Sequence, residues 1–251
     1  MGRCDQVGQH QTGLIVVTRT LHLLSGGAGQ GLVNELKVQL ETATHTQLSC
    51  TFGAVGLMKQ KLLDEAPCDV LILTAALIEQ LTASGYVLAG SARPLGTVKT
   101  GVAVKRGTPW PKIETPAQLK AAMLAATGIY FPDPLLATAG IHFMKVLNGL
   151  GIADVVANKL RPYPNGNTAM NAMAACDDPR VIGSTQVTEI LVTAGVDLVA
   201  NLPLEFELAT LYTAGVHSRS SFSAEAQVMV DILASDATAA LRTKGGFLVG
   251  A

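Results

Sequence analysis

The segment LHLLSGGAGQGLVNELKVQLET, residues 21–42, joins a short apolar run to a glycine-rich turn and then to a longer stretch of helical period. Leu21–Leu24 predicts a first strand, and Leu32–Thr42 predicts the helix that follows it. Ser25–Gly31 forms the turn between them. A strand that passes through small residues into a helix is the repeating unit of an α/β fold, so this segment predicts that class.

The same strand–helix unit recurs along the rest of the chain. In the first half it predicts strands at Leu48–Phe52, Asp69–Leu73 and Val98–Val104, and helices at Leu57–Glu65 and Ala76–Ser84. After the proline-rich connection Gly107–Pro116, it predicts helices at Pro116–Ala126, Ala139–Leu150, Thr168–Cys176, after Thr188, Ala224–Ser235 and Asp236–Lys244. The strands predicted in that half are Lys159–Pro162 and Gly128–Phe131, then Val181–Ser184, Val196–Asn201 and Thr210–Val216.

Composition excludes several classes of protein. The chain has 251 residues, of which 49% are hydrophobic and 15% charged, which is typical of a globular protein with a large interior. Eighteen basic residues against nineteen acidic ones give a net charge of −1, and no basic run is present, so nucleic acid is not an expected partner. No apolar run reaches the ~18 residues that a membrane-spanning helix needs.

The cysteines and the glycine-rich turn give no cofactor or metal signature. Cys4, Cys50, Cys68 and Cys176 lack metal-ligand spacing, and reduced structural thiols are the expectation. The glycines of Ser25–Gly31 are spaced one residue too short for a dinucleotide-binding loop. Neither a cofactor nor a metal is therefore predicted. Small residues and a hydroxyl at a helix start favour an anion site, although a simple tight turn also fits this segment.

The first nineteen residues differ from the rest and are predicted to form an N-terminal extension. Met1–Thr12 is polar, and the short apolar Leu14–Val17 does not have the length of a secretory signal. The sequence as written predicts a cytoplasmic protein, whereas a start further upstream would place it in the periplasm.

Nine segments spread over about residues 20–248 carry a resemblance to a known family: Ser25–Ala28, Phe52–Gly56, Ala66–Val70, Asp133-Pro134, Thr138–Gly140, Pro164–Asn167, Gly183–Gln186, Tyr212–Ala214 and Lys244–Phe247. In order and spacing they resemble the molybdate-binding group of type 2 periplasmic solute-binding proteins of ABC transporters. The resemblance implies two lobes, each a mixed sheet flanked by helices, joined by crossings near Val98–Val104 and Leu208–Ala214. Residues 20–100 with 213–251 would form the first lobe, and 101–212 the second.

The resemblance also implies a ligand site in the cleft between the lobes. Ser25 matches the family's first hydroxyl ligand, the second falls on Ala54 or Val55, and the position of the family's tyrosine holds Gln186. An amide both donates and accepts hydrogen bonds, which suits a carboxylate or carboxylic acid better than a tetrahedral oxyanion. The predicted ligand-binding residues are Ser25, Gly26, Gly27, Ala54, Val55, Thr74, Thr138, Ala139, Asn165, Gly166, Asn167, Thr185, Gln186 and Tyr212.

The family includes aconitate isomerase-like members, and this implies a proton shift on a small carboxylate. Such chemistry needs a general base and donors for an enolate-like transition state, and the candidates are Gln186, Asp133 and Glu189. Asp133 before Pro134 also fits a plain turn, and Glu189 a first-turn residue favoured by the helix dipole. His142 is expected to be a packed or surface residue.

Two classes of function fit the sequence. The first is an isomerase of a small unsaturated di- or tricarboxylate, favoured by the missing export signal and by the two changed oxyanion side chains. The second is a non-catalytic protein that binds an oxyanion or organic acid for a transporter or sensor, favoured by the fold. The expected partner in both is a small anion, and both monomer and dimer stay open.

Overall fold

The structure is a computed structural model that describes residues 19–250. Cys4 and the predicted N-terminal extension lie outside the described residues, apart from Arg19. The first half contains, in chain order, β1 Thr20–Gly26, α1 Gln30–Thr44, β2 Gln47–Gly53, α2 Val55–Leu63, β3 Val70–Thr74, α3 Ala75–Ala83 and β4 Arg93–Lys105. The second half contains α4 Pro116–Ala125, β5 Gly128–Pro132, α5 Thr138–Gly149, β6 Leu160–Tyr163, α6 Gly166–Ala175, β7 Val181–Gln186, α7 Val187–Leu191, β8 Val196–Asn201, β9 Ala209–Val216, α8 Ser223–Ala234 and α9 Ala239–Lys244.

These strands form a mixed nine-stranded sheet in the order β2-β1-β3-β9-β4-β7-β5-β6, with β8 on β4. β2, β1 and β3 run parallel to one another, as do β6, β5 and β7. The central strands β9 and β4 join the two parallel groups by antiparallel pairing. The predicted two-lobed α/β architecture is confirmed.

β4 belongs to both halves of the sheet. Its first part, Arg93–Lys99, pairs with β9, and its second part, Thr100–Lys105, pairs with β7 and β8. At 13 residues it is longer than the predicted strand at Val98–Val104, because its first part follows an edge of β9 that lies far along the chain. The lobe boundaries at residues 100 and 213 stay a prediction.

The buried side chains form separate clusters on the two sides of this junction. One contains Leu71 and Ile72 of β3 together with Met229 of α8. A second contains Phe131 of β5, whose ring packs on Phe143 of α5 with centroids 5.4 Å apart. Each half of the sheet therefore buries its own apolar surface, and a cleft can form between the two halves.

Local capping explains where several helices begin. Asn165 accepts a hydrogen bond from the Thr168 backbone N–H at 2.9 Å, so α6 begins at Gly166 rather than at the predicted Thr168. The predicted closing helix Asp236–Lys244 is divided, because Asp236–Thr238 forms a 3₁₀ turn before α9.

Within residues 19–250, no helix has both the length and the apolar character needed to cross a bilayer.

Candidate functional site

The carboxyl ends of the two parallel strand groups meet at a narrow cleft between the two halves of the sheet. Ligands of open α/β sheets bind outside such strand ends, where backbone groups are not used by the sheet. The residues that line it are Gly27, Ala28, Gly53, Ala54, Val55, Pro132, Ala137, Thr138, Ala139, Asn165, Gly166, Gln186, Glu189 and Tyr212.

One side of the cleft, which we call the backbone face, consists of Gly27, Ala28, Gly53, Ala54 and Val55. These residues follow β1 and β2 and have no polar side chain. No side chain caps the start of α2, whose cap position is Ala54. The first N–H groups of a helix have no partner within it, so the backbone face offers donors and a positive helix end to an anion.

The opposite side, which we call the side-chain face, follows β5, β6 and β7 and consists of Pro132, Ala137, Thr138, Ala139, Asn165, Gly166, Gln186 and Glu189. The start of α5 at Thr138 also lacks a side-chain cap. The start of α6, by contrast, is capped by Asn165. The side-chain face thus combines helix N–H groups with an amide and a carboxyl group.

Glu189 is the one ionisable carboxyl group among the described residues that line the cleft. It lies in the first turn of α7, is only 4% exposed, and its Oε2 accepts a hydrogen bond of 2.6 Å from the Thr185 hydroxyl. Burial raises the pKa of Glu189, against the lowering effect of Thr185 and of backbone N–H groups at Asn167, Gly166 and Gln186. Such a carboxyl group can hold or release a proton nearer neutrality than an exposed one.

Two glycines make room for this carboxyl group. A methyl carbon on Gly27 would overlap with Oε1 of Glu189, and one on Gly166 would overlap with Oε2 and with the Thr185 hydroxyl. Gly27 belongs to the backbone face, so the Glu189 carboxyl group bridges the closed cleft. A side chain at either glycine position would displace it.

Gln186 carries an unsatisfied amide. It ends β7, is 3% exposed, and neither Nε2 nor Oε1 completes a hydrogen bond within the protein. The amide lies close enough to the Tyr212 phenol to lower its pKa, but burial and the neighbouring Glu189 raise that pKa more strongly. Tyr212 therefore stays neutral, and the buried amide is left for a ligand to satisfy.

A backbone hydrogen bond also crosses the cleft. The Gly56 N–H in α2 donates to the carbonyl of Leu136, in the loop before α5, at 3.1 Å. A methyl carbon on Gly56 would lie 3.0 Å from that carbonyl oxygen, so glycine permits the approach. The structure is consequently the closed arrangement of the two faces.

The structure brings ten of the predicted site residues to the cleft: Gly27, Ala54, Val55, Thr138, Ala139, Asn165, Gly166, Gln186, Glu189 and Tyr212. Gly26 lies just behind, where an added methyl carbon would meet Val55 and Tyr212. The roles assigned to all of these residues stay predictions.

Other predicted residues make structural contacts instead of lining the cleft. The Ser25 hydroxyl donates to the Gly26 carbonyl at 2.8 Å, and Thr74 caps α3 by accepting from the Leu77 N–H. Thr185 supports Glu189, and the Asn167 amide donates to Thr193. His142 lies half-buried, with its Nε2 2.7 Å from the carbonyl oxygen of Phe206.

Asp133 stabilises the turn before α5, which is the alternative role that its position before Pro134 indicated. Its Oδ1 accepts from the backbone N–H groups of Leu135 and Leu136 at 2.7 and 2.8 Å. The side chain fixes the loop that precedes α5 and is not part of the cleft lining. Its predicted catalytic role thus has no geometric support.

Sequence reasoning missed Ala28, Gly53, Pro132 and Ala137 as lining residues. Each is next to a predicted residue or strand end, so the signal was available, but none carries a functional group. They shape the cleft through their backbone and small volume.

The described residues offer no metal centre, since no three His, Cys, Asp or Glu side chains in 19–250 are grouped to hold an ion. Burial raises the pKa of the Cys68 thiol to about 12, which makes it a packing residue rather than a nucleophile.

The fold and its cleft define a two-lobed solute-binding protein. The chain belongs to the bacterial extracellular solute-binding protein family, whose model matches residues 21–248. The resemblance to the molybdate-binding group, inferred from the sequence segments, is confirmed.

A curated relative is an aconitate isomerase of Pseudomonas sp., 26% identical over 233 residues, which cover 90% of this chain and 87% of the relative. Among solved structures, the periplasmic molybdate-binding protein of Azotobacter vinelandii superimposes with a TM-score of 0.76 at 17% identity, covering 92% of this chain and 100% of that one. The sulfate-binding protein of Mycobacterium tuberculosis H37Rv gives 0.67 at 16% identity, with 91% and 86% covered. These structural matches establish the fold.

Proposed function

We propose that the protein binds a small unsaturated di- or tricarboxylate in the cleft and isomerises it by moving a proton, as an aconitate isomerase-like enzyme. The observation that carries this proposal is the buried Glu189 carboxyl group, placed in the cleft between helix N-termini that attract anions. A carboxylate at that position opposes the binding of a fully ionised anion by charge, which favours a role beyond simple attraction of the anion. A proton-transfer site needs such a group.

The proposed reaction balances with Glu189 as both base and acid. Its carboxylate removes a proton from the allylic carbon of the substrate, and the electron pair moves through the double bond toward a carboxylate of the substrate. The same group then returns the proton to the other end of the allylic system, which shifts the double bond without a net loss of atoms. The raised pKa of Glu189 suits both directions of transfer.

The negative charge that develops on the substrate needs donors. The N–H groups at the starts of α2 and α5 have no side-chain cap, and the Gln186 amide has no protein partner. Preorganised donors of this kind stabilise an enolate-like intermediate without reorganisation. The 26% identity with an aconitate isomerase along 90% of the chain supports the same chemistry.

The test is proton exchange observed by NMR in deuterated water with cis- and trans-aconitate. Deuterium at the allylic carbon, accompanied by conversion of one isomer to the other, is the expected result. Binding of either compound with neither exchange nor conversion would refute the isomerase and leave a receptor.

The second candidate is a non-catalytic binding protein for an oxyanion or organic acid. It is favoured by the molybdate- and sulfate-binding structures that share the fold and by the uncapped helix starts. A thermal-shift screen with molybdate, tungstate, sulfate, aconitates and related diacids separates the candidates, because a ligand that closes the cleft stabilises by mass action. A shift with molybdate and none with carboxylates would favour this second candidate.

A further inference from the structure

The side-chain face of the cleft contains hydrogen-bond acceptors as well as donors. Gln186 offers Oε1, which is buried and without a partner. Glu189 offers Oε1, which lies toward Gly27 on the opposite face, while its Oε2 is engaged by Thr185. An anion enclosed by the cleft must therefore face two acceptor oxygens in addition to the backbone N–H groups.

No cation compensates these acceptors among the described residues that line the cleft, which include neither lysine nor arginine. Tyr212 is the titratable side chain that faces Glu189, and burial keeps its phenol neutral. A ligand that only accepts hydrogen bonds would leave the Gln186 oxygen unpaired and place its own negative charge against Glu189. A buried acceptor left unpaired weakens binding by about 10- to 100-fold.

We propose that the cleft selects ligands that bring a hydrogen-bond donor, either a carboxylic acid that retains one proton or a hydroxy acid, and excludes oxyanions that only accept. A fully ionised carboxylate satisfies this rule by taking up one proton as it binds; the proton resides on a ligand oxygen and is donated as a hydrogen bond to Glu189, which stays a carboxylate and can still act as the base. Burial of Glu189, which raises its pKa, supports the uptake. The inference rests on the carboxylate ligand of the proposed function, and it names the protonation state that this ligand has when bound.

Chemical selectivity follows from the same geometry. Molybdate, tungstate and sulfate carry no proton near neutral pH, and each would meet the Gln186 and Glu189 oxygens with acceptors alone. Replacement of Glu189 by glutamine substitutes an NH₂ donor for a carboxylate oxygen at nearly the same volume. The variant Glu189→Gln should therefore gain affinity for acceptor-only oxyanions.

The experiment is isothermal titration calorimetry on the full chain with trans-aconitate, sulfate and molybdate. Aconitate is titrated at slightly alkaline pH in two buffers that differ in ionisation enthalpy, so that proton uptake appears as a difference in the observed heat. We expect uptake of about one proton per aconitate bound by the wild type, and none by Glu189→Gln. We also expect Glu189→Gln to bind molybdate or sulfate about 10- to 100-fold more tightly than the wild type.

The matched control is Glu79→Gln, which makes the same change of charge at an exposed position of α3. It should retain the proton uptake and the wild-type oxyanion affinity. Aconitate binding without proton uptake, or an oxyanion affinity that Glu189→Gln does not increase, overturns the selection rule. Because both readouts measure binding, absence of isomerisation with intact selectivity refutes only the proposed reaction.

Discussion

The two faces of the cleft are built from different chemical groups. The backbone face has only glycine, alanine and valine, and its contribution to a ligand is N–H groups and the positive end of α2. The side-chain face adds Gln186 and Glu189, which are buried and polar, and Thr185 of the same half of the sheet holds Glu189 by a hydrogen bond. Both faces can therefore attract an anion, but only the side-chain face has a group that can transfer a proton. Variants at single residues can test this division.

The largest effect is expected from removing the carboxyl group of the side-chain face. Glu189→Gln should lower the rate of allylic exchange by about 10²- to 10⁴-fold, since a positioned general base contributes a factor of that size. NMR exchange in deuterated water measures the rate, and Glu79→Gln is the control for the change in charge. An exchange rate within a few-fold of the wild type would remove Glu189 from the proposed mechanism.

A methyl group on the backbone face should weaken ligand binding, because it hinders closure and displaces the Glu189 carboxyl group. In Gly27→Ala the added carbon overlaps with Oε1 of Glu189, which hinders the closed arrangement. Overpacking of this kind costs about 1–3 kcal/mol, or a 5- to 150-fold loss of affinity for aconitate measured by calorimetry. Gly245→Ala is the matched control, because its added carbon meets nothing nearer than 3.4 Å. Equal affinities of the two variants would contradict a closed cleft around Glu189.

Thr185 should act as a positioning residue for Glu189. Thr185→Val removes the 2.6 Å hydrogen bond to Oε2 and its lowering effect on the pKa of Glu189. We expect a loss of about 1–3 kcal/mol in transition-state stabilisation and a pH–rate profile whose acid limb moves to higher pH. Thr185→Ser retains the hydroxyl and should restore both. If the pH–rate profile of Thr185→Val is the same as that of the wild type, Thr185 has only a packing role.

The smallest expected effect is on the pH dependence of the free energy of unfolding. The pKa of Glu189 is raised in the folded protein, so the folded state holds its proton over the interval between the unfolded and folded values. The free energy of unfolding therefore falls as pH rises through that interval, with a slope contribution of at most about 1.4 kcal/mol per pH unit, and is unaffected below the unfolded value. Urea unfolding at a series of pH values should show this decline in the wild type and a flatter curve in Glu189→Gln.

Most of the fold was accessible from the sequence because strands and helices alternate with distinct periods. The strand ends at Gly26, Gly53 and Gln186 are marked by small or polar residues that follow apolar runs. The length of β4 was not accessible, because Arg93–Lys99 becomes a strand only through pairing with β9.

The sequence predicted which segments form the cleft, but it did not predict where their side chains point. The family position of Ser25 indicated a ligand hydroxyl, whereas the structure directs that hydroxyl to the carbonyl of Gly26. The position of Glu189 at the start of a helix was predicted, but its approach to Gly27 joins segments far apart in the chain. Side-chain direction and long-range contact are decided by packing, which local sequence does not encode.

The continuity of β4 across both halves of the sheet has a consequence for how the molecule unfolds. Loss of either half would strip hydrogen-bonding partners from the other, since the same strand supplies both with an antiparallel neighbour. We therefore expect one cooperative transition rather than two, even though the apolar clusters are separate. β4, which pairs with strands of both halves of the sheet, would thus also make the two halves unfold together.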